Sequence, residues 1–320
     1  MDRGSENPVL PYAAARQIWG LIFACLVADV LIKLGVGLTF KLQEIAAVIA
    51  IVVAALGLSA FYTLKRPDER IARLFRAGVE LFLLTFLVGS LSYSATSLGR
   101  PLWDDVFHAW DQALGFDWRY WLTVLDGHPR LNLLLVLAYH SMWPQLTLVI
   151  VALVTMRDFR RLDVLLLAFG LAAIVTVIVA GLMPAMSPLA YLQITASDHP
   201  HINLAVPPEF EAQALALRAG VLRVVELGDA QGLVTFPSFH TATAMLLLLA
   251  FRGVPYMRWV SLALNGLMLI AIPIEGSHYL VDVIAGIAVA LLSWAAAAAA
   301  VKAVTSRRLL LHQTTPAYPA

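Results

Sequence analysis

The 320 residues carry only 13% charged side chains against 60% hydrophobic ones, and the mean hydropathy is +0.80. A soluble domain holds about 25% charged residues, so this composition excludes an ordinary water-soluble fold and points to an all-α polytopic membrane protein. A formal net charge of +1 without any block of like charge excludes bulk affinity for nucleic acid, and the single cysteine, Cys25, excludes an intramolecular disulfide or a cysteine metal cluster.

About eight apolar stretches of spanning length follow one another, at roughly 17–38, 44–63, 78–98, 131–155, 162–183, 236–251, 256–275 and 278–300. The polar segment Met1–Gln17 ahead of the first reads as the lead into a retained helix, not a cleaved signal. Within that helix Asp29 and Lys33, four residues apart, read as an ion pair with a snorkelling lysine. With the N-terminus inside, fifteen of the 22 Lys and Arg residues fall on the inner segments, six on the outer ones, and Lys33 within a span. The positive-inside rule then puts both termini in the cytoplasm of a multi-pass cell-membrane protein. The chain divides into a two-helix extension (1–77), a six-helix membrane domain (78–304) and a cytoplasmic tail (305–320).

Two long segments fall outside. The first, 99–130, sets Trp103, Val106, Phe107, Trp110 and Leu114 at helical spacing with Asp104, Asp105 and Asp111 between them. This predicts an amphipathic helix in the interface, serving as an anchor or as a gate or floor for an incoming lipid. The second, 183–235, contains a helix start at Pro207-Pro208 with Glu209 and Glu211 in the first turn, and a stop at Gly220.

The chemistry-bearing residues are His240, at the end of Gly232-Leu-Val-Thr-Phe-Pro-Ser-Phe-His240, and His278 with Asp282. Residues i and i+4 share a helix face, so Asp282 can accept from one ring nitrogen of His278 and leave the other as a base or nucleophile of fixed tautomer. Ser238 reads as an N-cap, and a capped helix start offers free N–H groups to an anion, which places a phosphate near His240. The span count brings both histidines and Asp282 to the extracytoplasmic interface. Two histidines and an aspartate would also suit zinc, but the His-x-x-x-Asp spacing is better explained by orientation of the ring, so no metal and no cofactor is expected. An intramembrane relay of a transporter would place its charges near the midplane, not at one interface. His140, mid-span near Trp143-Pro144, reads as structural, and Glu275 either tunes the His278 pair or faces solvent.

Phe236-Pro237-Ser238-Phe239-His240 and Gly276-Ser277-His278-Tyr279-Leu280-Val281-Asp282 resemble the second and third signatures of the type 2 phosphatidic acid phosphatase superfamily, and within it the branch of inositol phosphorylceramide synthases. The resemblance covers roughly residues 78–300. It implies that His278 takes up the phosphoryl group, that Asp282 orients it, and that His240 is the general acid and then the base. The implied partners are a lipid phosphate and, for a transfer reaction, an alcohol such as inositol. A polyprenyl pyrophosphate or phosphatidate phosphatase is the alternative, and a non-catalytic transporter or scaffold the alternative from another class. The chain departs from the superfamily at the first signature: Arg100-Pro101 has Tyr93 where a lysine is expected. Arg218 is then the better phosphate clamp, with Arg223 second, Arg100 third and Ser238 beside them. Ala271-Ile272 also replace the Ser-Arg that precedes the third signature.

Overall fold

The computed structural model describes residues 14–195, 198–202, 204–206, 209–226 and 233–314. The polar N-terminus before Ala14, the Pro207-Pro208 helix start, Gly232 and the end of the tail lie outside these. The long helices are α1 (Ala15–Val36), α2 (Leu42–Leu64), α3 (Glu69–Thr96), α8 (Phe159–Leu182), α12 (Met257–Glu275) and α13 (Leu280–Thr314). Between them come α4 (Asp104–Ala113), α5 (Trp118–Asp126), α6 (Pro129–His140), α7 (Met142–Thr155), α9 (Pro188–Leu192), α10 (Glu209–Arg218) and α11 (Phe239–Phe251). Two short strands, β1 (Thr39–Phe40) and β2 (Val224–Val225), pair in parallel.

Polar caps set the helix starts. Asp68 accepts from the N–H groups of Arg70 and Ile71, Asp158 from Arg161, Asp117 from Tyr120 and Ser238 from Thr241. Gly37 and Gly220 stop α1 and α10 with φ of 68° and 75°, a conformation that glycine adopts without strain.

All eight expected spans coincide with helices, but six of these are long and apolar enough to cross a bilayer alone. The stretch expected at 131–155 is a pair, α6 and α7, bent by 44° at Ser141; counted as one span it raises the number to seven. The remaining one, α11, has 13 residues. At 1.5 Å per residue that covers about 20 Å of a hydrocarbon layer about 30 Å thick. The boundary expected at 77 falls inside α3, which starts at Glu69.

The central helix is α8, buried along most of its length; α2 faces outward along most of its own. Ile18, Ile22 and Cys25 of α1 belong to the same core as α3 and α8, so α1 is packed into the bundle. A buried ion network closes the end of the bundle where α3 and α8 begin. There Arg73 pairs with Glu80 at 2.8 Å and with Asp163, and Arg76 pairs with Glu80 at 2.9 Å. Asp163 also accepts from the Ala14 N–H. At the opposite end Asp29 takes Lys33 at 2.8 Å, as the spacing predicts, together with Ser90 and Ser94 of α3.

Candidate active site

The two signature segments meet where α11 crosses the start of α13. The Ser238 N–H donates to the Asp282 carbonyl at 3.0 Å. The approach requires glycine: a Cβ on Gly286 would lie 2.5 Å from the Ser238 carbonyl oxygen and 2.8 Å from Thr241 Cβ. Since Gly286 is one turn beyond Asp282, the face of α13 that carries the aspartate also receives the N-terminus of α11. His240 is thereby brought beside the His278 segment.

His278 lies in the link between α12 and α13. Its Nδ1 is 3.0 Å from Asp282 Oδ2, the partner expected from the spacing, and the same oxygen accepts the Tyr279 N–H at 3.0 Å. Asp282 is fully buried and its Oδ1 has no hydrogen-bond partner. Burial pushes the His278 imidazole down to about 4, the nearby Thr235 backbone opposing the shift. The ring is therefore neutral at physiological pH.

His240 stacks on Tyr139 of α6, with ring centroids 4.3 Å apart and planes 13° from parallel, and its Nδ1 lies 3.4 Å from the Tyr139 hydroxyl. Gly276 leaves room for both rings: a Cβ there would come within 2.9 Å of His278 Cδ2 and of Tyr139 Cε2.

His240 and His278 face one cavity of about 890 Å³, within the size range of small-molecule sites. Of the three arginines, Arg218 alone lines it. Arg218 is half-buried on α10, and its Nη2 donates to the Arg100 carbonyl. The Arg100 side chain is exposed. Arg223 packs over Gly220, and its backbone carbonyl takes the Thr39 N–H beside the β1–β2 pair. Ser238 is fully buried as the α11 cap and does not line the cavity. Among the described residues no group of three His, Cys, Asp or Glu side chains is arranged to hold a metal ion.

Sequence reasoning missed the clamp on the His278 segment. In α4, Asp104, Phe107 and Asp111 form one buried face. Asp111 accepts from the N–H groups of Leu280 at 2.8 Å and Val281 at 3.0 Å, and so caps α13. Asp104 accepts from the Tyr279 hydroxyl at 3.0 Å and from the Met186 and Ser187 N–H groups. Burial holds both carboxyls above the usual carboxylate range, with these hydrogen bonds opposing it. Phe107 stacks on Phe236 at 4.4 Å and touches Tyr279 at 5.8 Å, one aromatic residue from each signature segment. Trp118 of α5, a helix not foreseen, donates from its indole to the His278 carbonyl at 3.2 Å. The signal lay in the spacing: positions 104, 107 and 111 share a helical face, so two of the aspartates sit with the phenylalanine and not opposite it. The amphipathic helix is thus more than an anchor.

Two other positions differ from expectation. His140 is not buried mid-span; it is exposed at the α6–α7 break and lines the cavity. Glu275 does not face solvent: it is fully buried, accepts from Asn132 Nδ2 at 2.6 Å, and its backbone carbonyl takes the Val206 N–H.

A family model described as the PAP2 superfamily matches residues 105–296, from α4 through most of α13, which is 192 of the 320 residues (296 − 105 + 1). No curated protein and no solved structure gives a significant match. The matched segment contains His240, His278, Asp282 and, of the α4 clamp, Phe107 and Asp111, and it covers more than half of the sequence: the chain belongs to the PAP2 superfamily, a family of membrane phosphatases and their relatives.

Proposed function

We propose that the protein is an integral-membrane lipid phosphate phosphatase or phosphotransferase that works through a phosphohistidine on His278. The observation that carries this reading is the meeting of the His278–Asp282 pair, His240 and Arg218 around one cavity. With Nδ1 held by Asp282, Nε2 of the neutral His278 ring attacks phosphorus. The phosphorus–oxygen bond to the lipid breaks, and the leaving oxygen takes a proton from protonated His240. Water or an alcohol then gives its proton to His240 and attacks the phosphohistidine, breaking the phosphorus–nitrogen bond and restoring both rings. Arg218 neutralises the phosphate oxygens through charge-assisted hydrogen bonds, while Tyr139 fixes the plane of His240. Asp282 holds the attacking tautomer and balances the positive charge of the phosphorylated ring. Attack by water gives a phosphatase; attack by an alcohol such as inositol gives a headgroup transferase like the inositol phosphorylceramide synthases. Read over eight crossings, with the short α11 as the sixth, the asymmetry of Lys and Arg supports a site on the extracytoplasmic face and both termini inside.

The test uses purified protein in nanodiscs without added metal. Phosphatidate, polyprenyl pyrophosphates and phosphosphingolipid precursors are offered with and without inositol, and free phosphate and new lipids are followed together. Phosphate release that disappears in His278→Ala marks a phosphatase, and a new phospholipid formed only with the alcohol marks a transferase. Neither product across the panel would return the protein to the transporter or scaffold reading.

A further inference from the structure

The cavity does not end at the histidines. Along α3 its lining runs from Thr96, level with the polar end, to Phe82, and along α8 from Ala180 to Phe169. The fourteen steps from Phe82 to Thr96 correspond to about 21 Å at 1.5 Å per residue. Half of a hydrocarbon layer about 30 Å thick is about 15 Å, so the lining runs along α3 for more than the thickness of one leaflet. Its character changes on the way down. His240, His278 and Arg218 mark the polar end, whereas Phe40, Val48, Phe82 and Phe86 line an arm between α2 and α3 that is apolar apart from the hydroxyl of Thr85.

That arm is a built wall. Phe40 and Phe86 lie 6.1 Å apart, and Phe86 and Phe82 are stacked at 6.3 Å. The Lys33 ammonium sits 3.9 Å above the Phe40 ring, and its partner Asp29 binds Ser90 and Ser94, which ties α1 to α3 beside the arm. The β1–β2 pair aligns Phe40 with Val225, just beyond the helix that carries Arg218, and the Thr39 N–H donates to the Arg223 carbonyl at 2.8 Å. Wall and phosphate end are therefore linked through backbone. All four apolar residues precede position 105, where the match to the family model begins.

We propose that this arm seats the hydrocarbon chain of the substrate and that Phe40, Val48, Phe82 and Phe86 set which chain the protein accepts, a chain at least one leaflet long. The inference rests on the lipid phosphate reading above. Moving a chain from bilayer to cavity exchanges one apolar surrounding for another, so hydrophobic burial gives no discrimination. Selectivity comes from length and shape: a chain that is too short leaves the deep end unfilled, and a bulky side chain in the arm shuts out a long one.

Two measurements test this. Val48→Trp, on the outward-facing helix α2, is assayed against phosphatidate with oleoyl chains and with hexanoyl chains, after thermal unfolding has shown that the variant is folded. A loss of about tenfold or more in kcat/KM is expected for the oleoyl substrate, the scale of one misfitting methylene in an apolar pocket, with the hexanoyl substrate little changed. Equal losses on both substrates, or on neither, would overturn the proposal. Separately, phosphatidate with a diazirine near the chain terminus is photocrosslinked to the His278→Ala protein. Label at α2 and the 82–86 turn of α3 is expected, and label confined to other helices overturns the proposal. Because the crosslink needs no turnover, label in the arm of a protein that releases no phosphate would sink the catalytic reading and leave the chain seat standing.

Discussion

The His278–Asp282 pair allows the two obvious substitutions of Asp282 to be separated in magnitude. Asp282 Oδ2 takes both the His278 Nδ1–H and the Tyr279 N–H, each at 3.0 Å, while Oδ1 has no hydrogen-bond partner. In Asp282→Asn the amide oxygen can occupy the Oδ2 position and keep both hydrogen bonds, and with them the tautomer that leaves Nε2 free to attack. What is lost is the negative charge facing a ring that becomes cationic. A charge-assisted hydrogen bond exceeds a neutral one by about 1–2 kcal/mol, which corresponds to a rate loss of about 5- to 30-fold. Asp282→Ala removes the whole charge-assisted bond, about 1.5–3 kcal/mol, and strands the buried Tyr279 N–H, about 1–3 kcal/mol more. Together these give a loss of about 10²- to 10⁴-fold. Initial rates of phosphate release from phosphatidate in nanodiscs, with His278→Ala as the floor, measure both. An alanine variant that keeps more than a tenth of the activity, or an asparagine variant indistinguishable from alanine, would refute the assignment of Asp282.

Arg218→Ala is expected to cost about 10- to 100-fold in kcat/KM through loss of charge-assisted contacts to phosphate, and Arg223→Ala and Arg100→Ala far less, since their side chains do not line the cavity; steady-state kinetics decide. The acid limb of kcat/KM set by His278 is expected near pH 4, where burial has moved it, and a limb near the ordinary 6.5 would contradict the buried, neutral nucleophile. The same shift has a sign in stability. The unfolded ring takes its proton near 6.5 and the folded one only near 4, so this contribution is intact above pH 6.5 and declines as the pH falls to about 4, which acid-dependent melting measures. Gly286→Ala should destabilise the protein by about 1–3 kcal/mol by driving a methyl into the Ser238 carbonyl, and should lower activity with it. Gly57→Ala, with nothing within 4 Å of its Cβ, is the control, expected to be neutral or stabilising by up to about 1 kcal/mol in thermal unfolding.

Much of the architecture was legible because a bilayer makes local rules strict. Lipid offers no hydrogen bonds, so apolar runs must be helical, and each expected span falls on a helix. Composition hid the break at Ser141, because α6 and α7 are both apolar and hydropathy carries no information about direction. It also hid the short length of α11, whose polar lead-in ends at a cap.

Within the site, the sequence by itself determined what depends on one helical turn: the His278–Asp282 pair, the Ser238 cap and the helix stop at Gly220. Each joins residues within four positions of one another, where spacing on a single helix dictates geometry. Only the tertiary structure decided which distant groups share a space. Arg218 and Arg223 are near neighbours in sequence, yet α10 turns one towards the cavity while the β1–β2 pairing holds the other away from it. Asp104 and Asp111 bind a segment about 170 positions onward, and Tyr139 meets His240 across 101. Such contacts arise from how helices cross, and a crossing depends on both surfaces at once. Here the deciding feature is a glycine on α13 small enough to admit the start of α11.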